Sequence, residues 1–170
     1  MDSIAWWPSV AVLVVASMID VHTRRIPNWL VLPFLISGLL VRSLAGGFPG
    51  AGRSFAGLAL ACVLFGVPCF LGGSGMGDLK LAAGVGAWIG PGQLFIAFIV
   101  TSIVGGILAV AYALWHGSLG RCLDNTGDLL AQFARFRVRP HERIGFENSK
   151  ALSIPYAPAI AIGTLFSFFA

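Results

Sequence analysis

Charge is scarce in this chain of 170 residues. Asp, Glu, Lys and Arg make up 11% of it, where a soluble domain carries about 25%. Hydrophobic residues make up 57% and the mean hydropathy is +0.87, so an ordinary water-soluble fold is excluded. Cysteine is scarce as well. Cys62, Cys69 and Cys122 are the full set, and no two of them form a CxxC pair. Neither a zinc knuckle nor a disulfide framework is suggested, and all three read as packing residues or inert thiols. Histidine numbers three. HERIG at 141–145 begins like HExxH, but Gly145 stands where the second zinc ligand is needed, so no metal centre and no cofactor are expected. A pI near 9.4 does not point to nucleic acid, because in a membrane chain the excess of Lys and Arg sets topology.

Long uncharged runs are what the chain does have, at 3–19, 26–41, 54–77, 81–120 and 151–170. About 20 apolar residues cross about 30 Å of hydrocarbon, and 81–120 is too long for one crossing. GPG at 90–92 marks a turn that divides it. The fold class expected is therefore all-α: a polytopic membrane protein with six transmembrane helices near 4–20, 28–45, 54–71, 78–89, 93–115 and 152–169. One membrane-embedded domain over 1–170 follows. Residues 3–19 have no positively charged n-region before them and no small-residue cleavage site after them, and read as a retained first span.

The basic residues test this division. Arg24, Arg25, Lys80, Arg121, Arg135, Arg137, Arg139, Arg143 and Lys150 fall on one side, and Arg42 and Arg53 on the other. That bias puts the first group in the cytoplasm and both termini outside. The basic segment 116–150 is then cytoplasmic. Its Leu119, Leu123, Leu130 and Phe133 share a helical face, as in an interfacial helix held by anionic lipid.

Two acids stand out in this setting. Asp20, in MIDVHTRRIPN at 18–28, ends the first span. Asp78, in GGSGMGDLKLAAGVGAWIG at 72–90, opens the fourth. Two spans separate them, so both face the same side. The fourth span is short, and filling the bilayer requires part of the glycine-rich loop before it to sit below the headgroups. Irregular backbone survives there only where protein buries it or water reaches it. A cytoplasm-facing cavity with Asp78 on its wall is the expectation.

Two carboxylates sharing a site cannot both ionise easily, so the pair holds one proton. One can then take a proton from water while the other polarises a peptide carbonyl, which hydrolyses the bond without a metal or a covalent intermediate. Gly75 and Gly77 lack Cβ atoms and let an extended substrate backbone approach Asp78. The plainer readings are an interfacial ion pair of Asp20 with Arg24 and Arg25, and a helix cap for Asp78. Lys80 reads first as a topology anchor or snorkelling side chain, with electrostatic support of a carboxylate as its functional alternative.

GMGDLKLAAGVGAWIG resembles the GxGD-x-K-L signature of the type IV prepilin peptidases, which are intramembrane aspartic proteases. IDVHTRRIPN resembles the segment carrying the first aspartate of that family, and SIPYAPAIAIG at 153–163 is similar to its last-span motif. The three occur in the family's order along the chain. The resemblance implies a peptidase that removes the short basic leader of pilin-like precursors at the cytoplasmic face of a bacterial inner membrane, characteristically after a glycine. It implies Asp20 and Asp78 as the catalytic pair and Gly75 and Gly77 as the glycines of the GxGD loop. The long bifunctional members add paired CxxC motifs and methylate the new pilin N-terminus. Without a CxxC, this chain is similar to the short Tad/Flp-type members, and N-methylation is not expected.

Rival readings remain. GGSG at 72–75 fits the GxSG pattern of rhomboid serine proteases, which would make Ser74 a nucleophile. That chemistry needs a histidine within a later helix, and the last span has none. NTG at 125–127 echoes the soluble aspartic proteases, but Asn125 replaces the acid. A proton- or ion-coupled transporter subunit would also keep intramembrane acids, although here they lie at one face and no internal repeat is visible.

Overall fold

The computed structural model describes residues 3–24, 26–70, 75–115 and 156–170. Ser74 and the segment 116–150 lie outside those residues. Among the described residues the regular structure is entirely helical: α1 Ser3–Thr23, α2 Asn28–Phe70, α3 Met76–Ile89, α4 Pro91–Trp115 and α5 Ala157–Ser167.

The all-α expectation holds among the described residues. Residues expected as two helices and a connection, 28–45 and 54–71, form two helical arms divided by a kink at Gly47, within Asn28–Phe70. Gly47 has φ 59° and ψ −147°, a region essentially reserved for glycine. A single residue in that conformation is enough to break the rod, so no separate loop is needed. Pro49 then falls in the first turn after the break, where its missing N–H costs nothing.

The two sides of the break fold back beside each other. Arg42 Nε donates to the Trp88 carbonyl at 2.7 Å, and Ser54 Oγ donates to the neighbouring Ala87 carbonyl, also at 2.7 Å. Residues 42 and 54 would stand about 18 Å apart in a straight helix, yet they reach adjacent carbonyls of α3. Those carbonyls belong to the last turn of α3 and have no partner within the helix. A polar residue on each arm of the hairpin satisfies them.

α3 is the axis of the molecule. Every residue from Leu81 to Gly90 is buried, and α1, α2, α4 and α5 all touch α3. A helix that is apolar all round must be covered all round. Close approach to α2 rests on small residues, as is general between membrane helices: a Cβ on Gly57 would collide with the Gly86 carbonyl. On the other arm, Trp88 stacks on Phe34 with ring centroids 5.8 Å apart, and its Nε1 donates to the Phe34 carbonyl at 2.8 Å. α4 and α5 pack through Thr101, whose Oγ1 donates to the Ala159 carbonyl at 3.3 Å.

The outer helices present an apolar surface. Asn28–Val67 and Pro91–Ala111 are long and apolar enough to cross a membrane, and only 17% and 22% of their most apolar windows are buried. The core helix of a soluble protein would be largely covered; these are not. Exposed tryptophans stand at both ends of the bundle. Trp29 and Trp115 lie at the end where α2 starts and α4 finishes, and Trp7 at the other. That placement fits the aromatic belts of a membrane protein.

Candidate active site

Three short segments meet at the end of the bundle where α1 finishes and α2, α3 and α5 begin. α1 stops because Arg24 adopts φ 52°, the left-handed closure that ends many helices, and its N–H returns to the Asp20 carbonyl at 2.8 Å. Ile26 and Pro27 then turn the chain into α2, with the Pro27 carbonyl accepting from the Leu30 N–H at 3.2 Å. α3 packs its first turn against this corner. A Cβ on Gly77 would lie 3.1 Å from Ile26 Cβ, and Lys80 Nζ donates to Asn28 Oδ1 at 3.0 Å.

Asp20 and Asp78 approach the start of α5 from opposite sides in sequence. Asp20 keeps only 6% of its surface exposed, and its Oδ2 accepts the Ala157 N–H at 3.1 Å. A carboxylate in the last turn of α1 faces the unfavourable end of its own helix dipole. The N-terminus of α5 supplies the opposite field and a donor. Asp78 sits in the first turn of α3, where its Oδ2 accepts the Gly75 N–H at 3.1 Å, half of a capping box. Its charge also acts on Tyr156, the residue before Ala157. Tyr156 is the N-cap of α5, and its ring covers Gly105 of α4. Asp20 thus bonds the start of α5, and Asp78 bonds the start of its own helix, both at the same end of the bundle.

The residues singled out in the sequence are distributed as follows. Asp20 and Asp78 are brought to the same end of the bundle. Gly75 lies beside Asp78 as the N-cap of α3. Gly77 is not in an open loop: it belongs to the first turn of α3, and its bare α-carbon is filled by Ile26. Lys80 bonds the side-chain oxygen of Asn28 and ties α3 to α2. Tyr156 was missed. Its signal is the third motif, SIPYAPAIAIG, whose order along the chain does not say which side chain reaches the site. Cys69 also enters the site, since its Sγ lies 3.3 Å from Met76 Sδ and within the field of Asp78. Among the described residues no group of three or more His, Cys, Asp or Glu is placed to hold a metal ion.

The model of the type IV leader peptidase family matches residues 8–110, which include α1 to α3 with both aspartates. The chain belongs to that family. Its curated relatives include the prepilin leader peptidase/N-methyltransferase of Neisseria gonorrhoeae, 32% identical over 114 residues, covering 63% of this chain and 40% of the relative. The protein of the same name from Aeromonas hydrophila is 36% identical over 110 residues, 61% of this chain and 38% of the relative. That of Bacillus subtilis is 26% identical over 162 residues, 94% of this chain and 52% of the relative. These matches thus cover about half or less of each relative's length. No solved structure matches significantly. Membership of the leader peptidase family agrees with the first two motifs, which lie within the matched residues.

Proposed function

We propose that this chain is an aspartic endopeptidase that removes the short basic leader from pilin-like precursors at the cytoplasmic face of a bacterial inner membrane. The observation that carries the reading is that Asp20, bonded to Ala157 at the start of α5, and Asp78, in the first turn of α3, lie at the same end of the bundle in a member of the leader peptidase family. In the reaction, the ionised carboxylate takes a proton from water and the protonated one gives its proton to the scissile carbonyl oxygen. The new C–O bond yields a gem-diol. One carboxylate then takes a proton from a diol hydroxyl while the other protonates the amine, the C–N bond breaks, and the pair again holds one proton. Asp20 and Asp78 are the catalytic residues in this scheme. Gly75 fixes one oxygen of Asp78, the Ala157 N–H fixes one oxygen of Asp20, and Lys80 positions α3 through Asn28. Two carboxylates move protons and do not activate a methyl group, so the proposal covers cleavage and not the methyl transfer in the relatives' names.

The membrane arrangement we propose counts the two arms of α2 separately, giving six spans with both termini outside. The nine-to-two division of basic residues supports it. α3 and α4 both leave the Gly90 junction, but 14 and 25 residues give lengths of about 21 and about 37 Å. If α4 fills the bilayer, the first turn of α3 lies below the surface, and the aspartates work at membrane depth.

The test is cleavage of a pilin-type precursor by purified protein in lipid. Asp20→Asn and Asp78→Asn are each expected to lower the rate about a hundredfold or more, while Ser74→Ala keeps it. Retained cleavage in either Asn variant overturns the two-aspartate mechanism. Loss in Ser74→Ala alone would assign a serine protease, and a transporter would cleave nothing in any form.

A further inference from the structure

A second polar cluster lies at the end of the bundle away from the aspartates. The α3–α4 turn and the two arms of α2 line an open cavity of about 350 Å³ whose walls include half-buried Arg42, exposed Arg53, Ser54, Gly90, Gly92 and Gln93. Arg42 is anchored through Nε on the Trp88 carbonyl. The N–H groups on its two terminal nitrogens have no acceptor among the described residues, and Arg53 makes no hydrogen bond or ion pair there. The acids among the described residues are Asp20 and Asp78, both at the opposite end. Among the described residues, two guanidiniums thus line one cavity without a carboxylate between them.

The backbone adds donors to the same space. Pro91 opens α4 without an N–H, and the first amide bonded back is Leu94, to the Gly90 carbonyl at 3.1 Å. The amides of Gly92 and Gln93 are the orphan donors of that helix start, at the positive end of its dipole. Above Gly92 the space is open: a Cβ there would meet nothing within 4 Å. Arginine forks and helix-start amides together match the geometry of a phosphate oxyanion. Depth indicates the source. Trp7 stands exposed at this end, at the level where tryptophans meet lipid headgroups.

We propose that this cavity is a binding site for a phosphate ester, supplied by the headgroup of an anionic phospholipid in the leaflet opposite the aspartates. The lipid neutralises Arg42 and Arg53 and pins the Gly47 hairpin to the end of α3. Arg53 is the discriminating residue, because it has no structural partner to lose. Arg42 also caps α3, so its replacement would mix binding with folding.

Delipidated full-length protein in a neutral detergent is titrated with phosphatidylglycerol, phosphatidylcholine and soluble glycerol 1-phosphate, and bound species are counted by native mass spectrometry. Phosphatidylglycerol is expected to bind about tenfold more tightly than phosphatidylcholine, and Arg53→Gln to remove about that factor. Asp78→Asn should bind as the wild type does, which separates this site from the peptidase reading. Glycerol 1-phosphate binding with the same dependence on Arg53 supports the oxyanion site and makes a soluble phosphate a competing occupant. Equal binding of the two lipids, or equal binding of phosphatidylglycerol by wild type and Arg53→Gln, overturns the proposal.

Discussion

Asp20 does two things that can be separated by substitution. Its carboxylate is an acceptor for the Ala157 N–H and, in the proposed reaction, a proton carrier. Asparagine keeps an oxygen at that position and removes the acid; alanine removes both. Asp20→Asn is therefore expected to unfold near the wild-type temperature in detergent while losing cleavage. Asp20→Ala should lose cleavage and also about 1–2 kcal/mol of stability, the usual cost of deleting a helix-start acceptor. Equal melting temperatures for the two would show that the bond to Ala157 holds nothing in place. Asp78 resists the same separation, since it anchors its own helix through the Gly75 amide.

Among the elements, α3 depends most on shape. It runs between the two arms of α2 with no room for a methyl group at Gly57, where the opposing atom is the Gly86 carbonyl. Backbone facing backbone cannot yield as a flexible side chain can. Gly57→Ala is expected to cost about 1–3 kcal/mol through overpacking, read as a lowered melting temperature, although residue 57 is far from the aspartates. A neutral result would mean the arms of α2 can part without consequence. The buried face of α3 was legible as an apolar run, but its partners were not. Nothing in AAGVGAWIG says that Trp88 stacks on Phe34 or that its carbonyl receives Arg42, because those neighbours are 54 and 46 residues away in sequence.

Over the whole molecule, charge and aromatic placement give the two ends different identities. One end carries Asp20, Asp78 and Lys80; the other carries Arg42, Arg53 and the α3–α4 turn. With Cys62, Cys69 and Cys122 replaced by serine, a single cysteine at Gly52 should react with an impermeant maleimide added outside cells whose outer barrier has been opened. A single cysteine at His22 should not. Both positions are exposed in the structure, so a difference reports the membrane and not burial. The reverse pattern would invert the topology and place the aspartates outside.

The sequence by itself determined that this chain is helical and lipid-facing, and that two acids lie at the same end of it. Those properties follow from local composition and spacing: the uncharged runs set the helices, and the distance between the acids sets their shared end. Tertiary structure decided what one-dimensional spacing cannot encode. It folded the two arms of 28–70 back on each other at one glycine, moved Gly77 from an open loop to a packed helix start, and drew Lys80 to Asn28. It also bonded Asp20 to the Ala157 amide at the start of α5 and Asp78 to the Gly75 amide at the start of α3, because helix starts carry unpaired amides that nearby acids can meet.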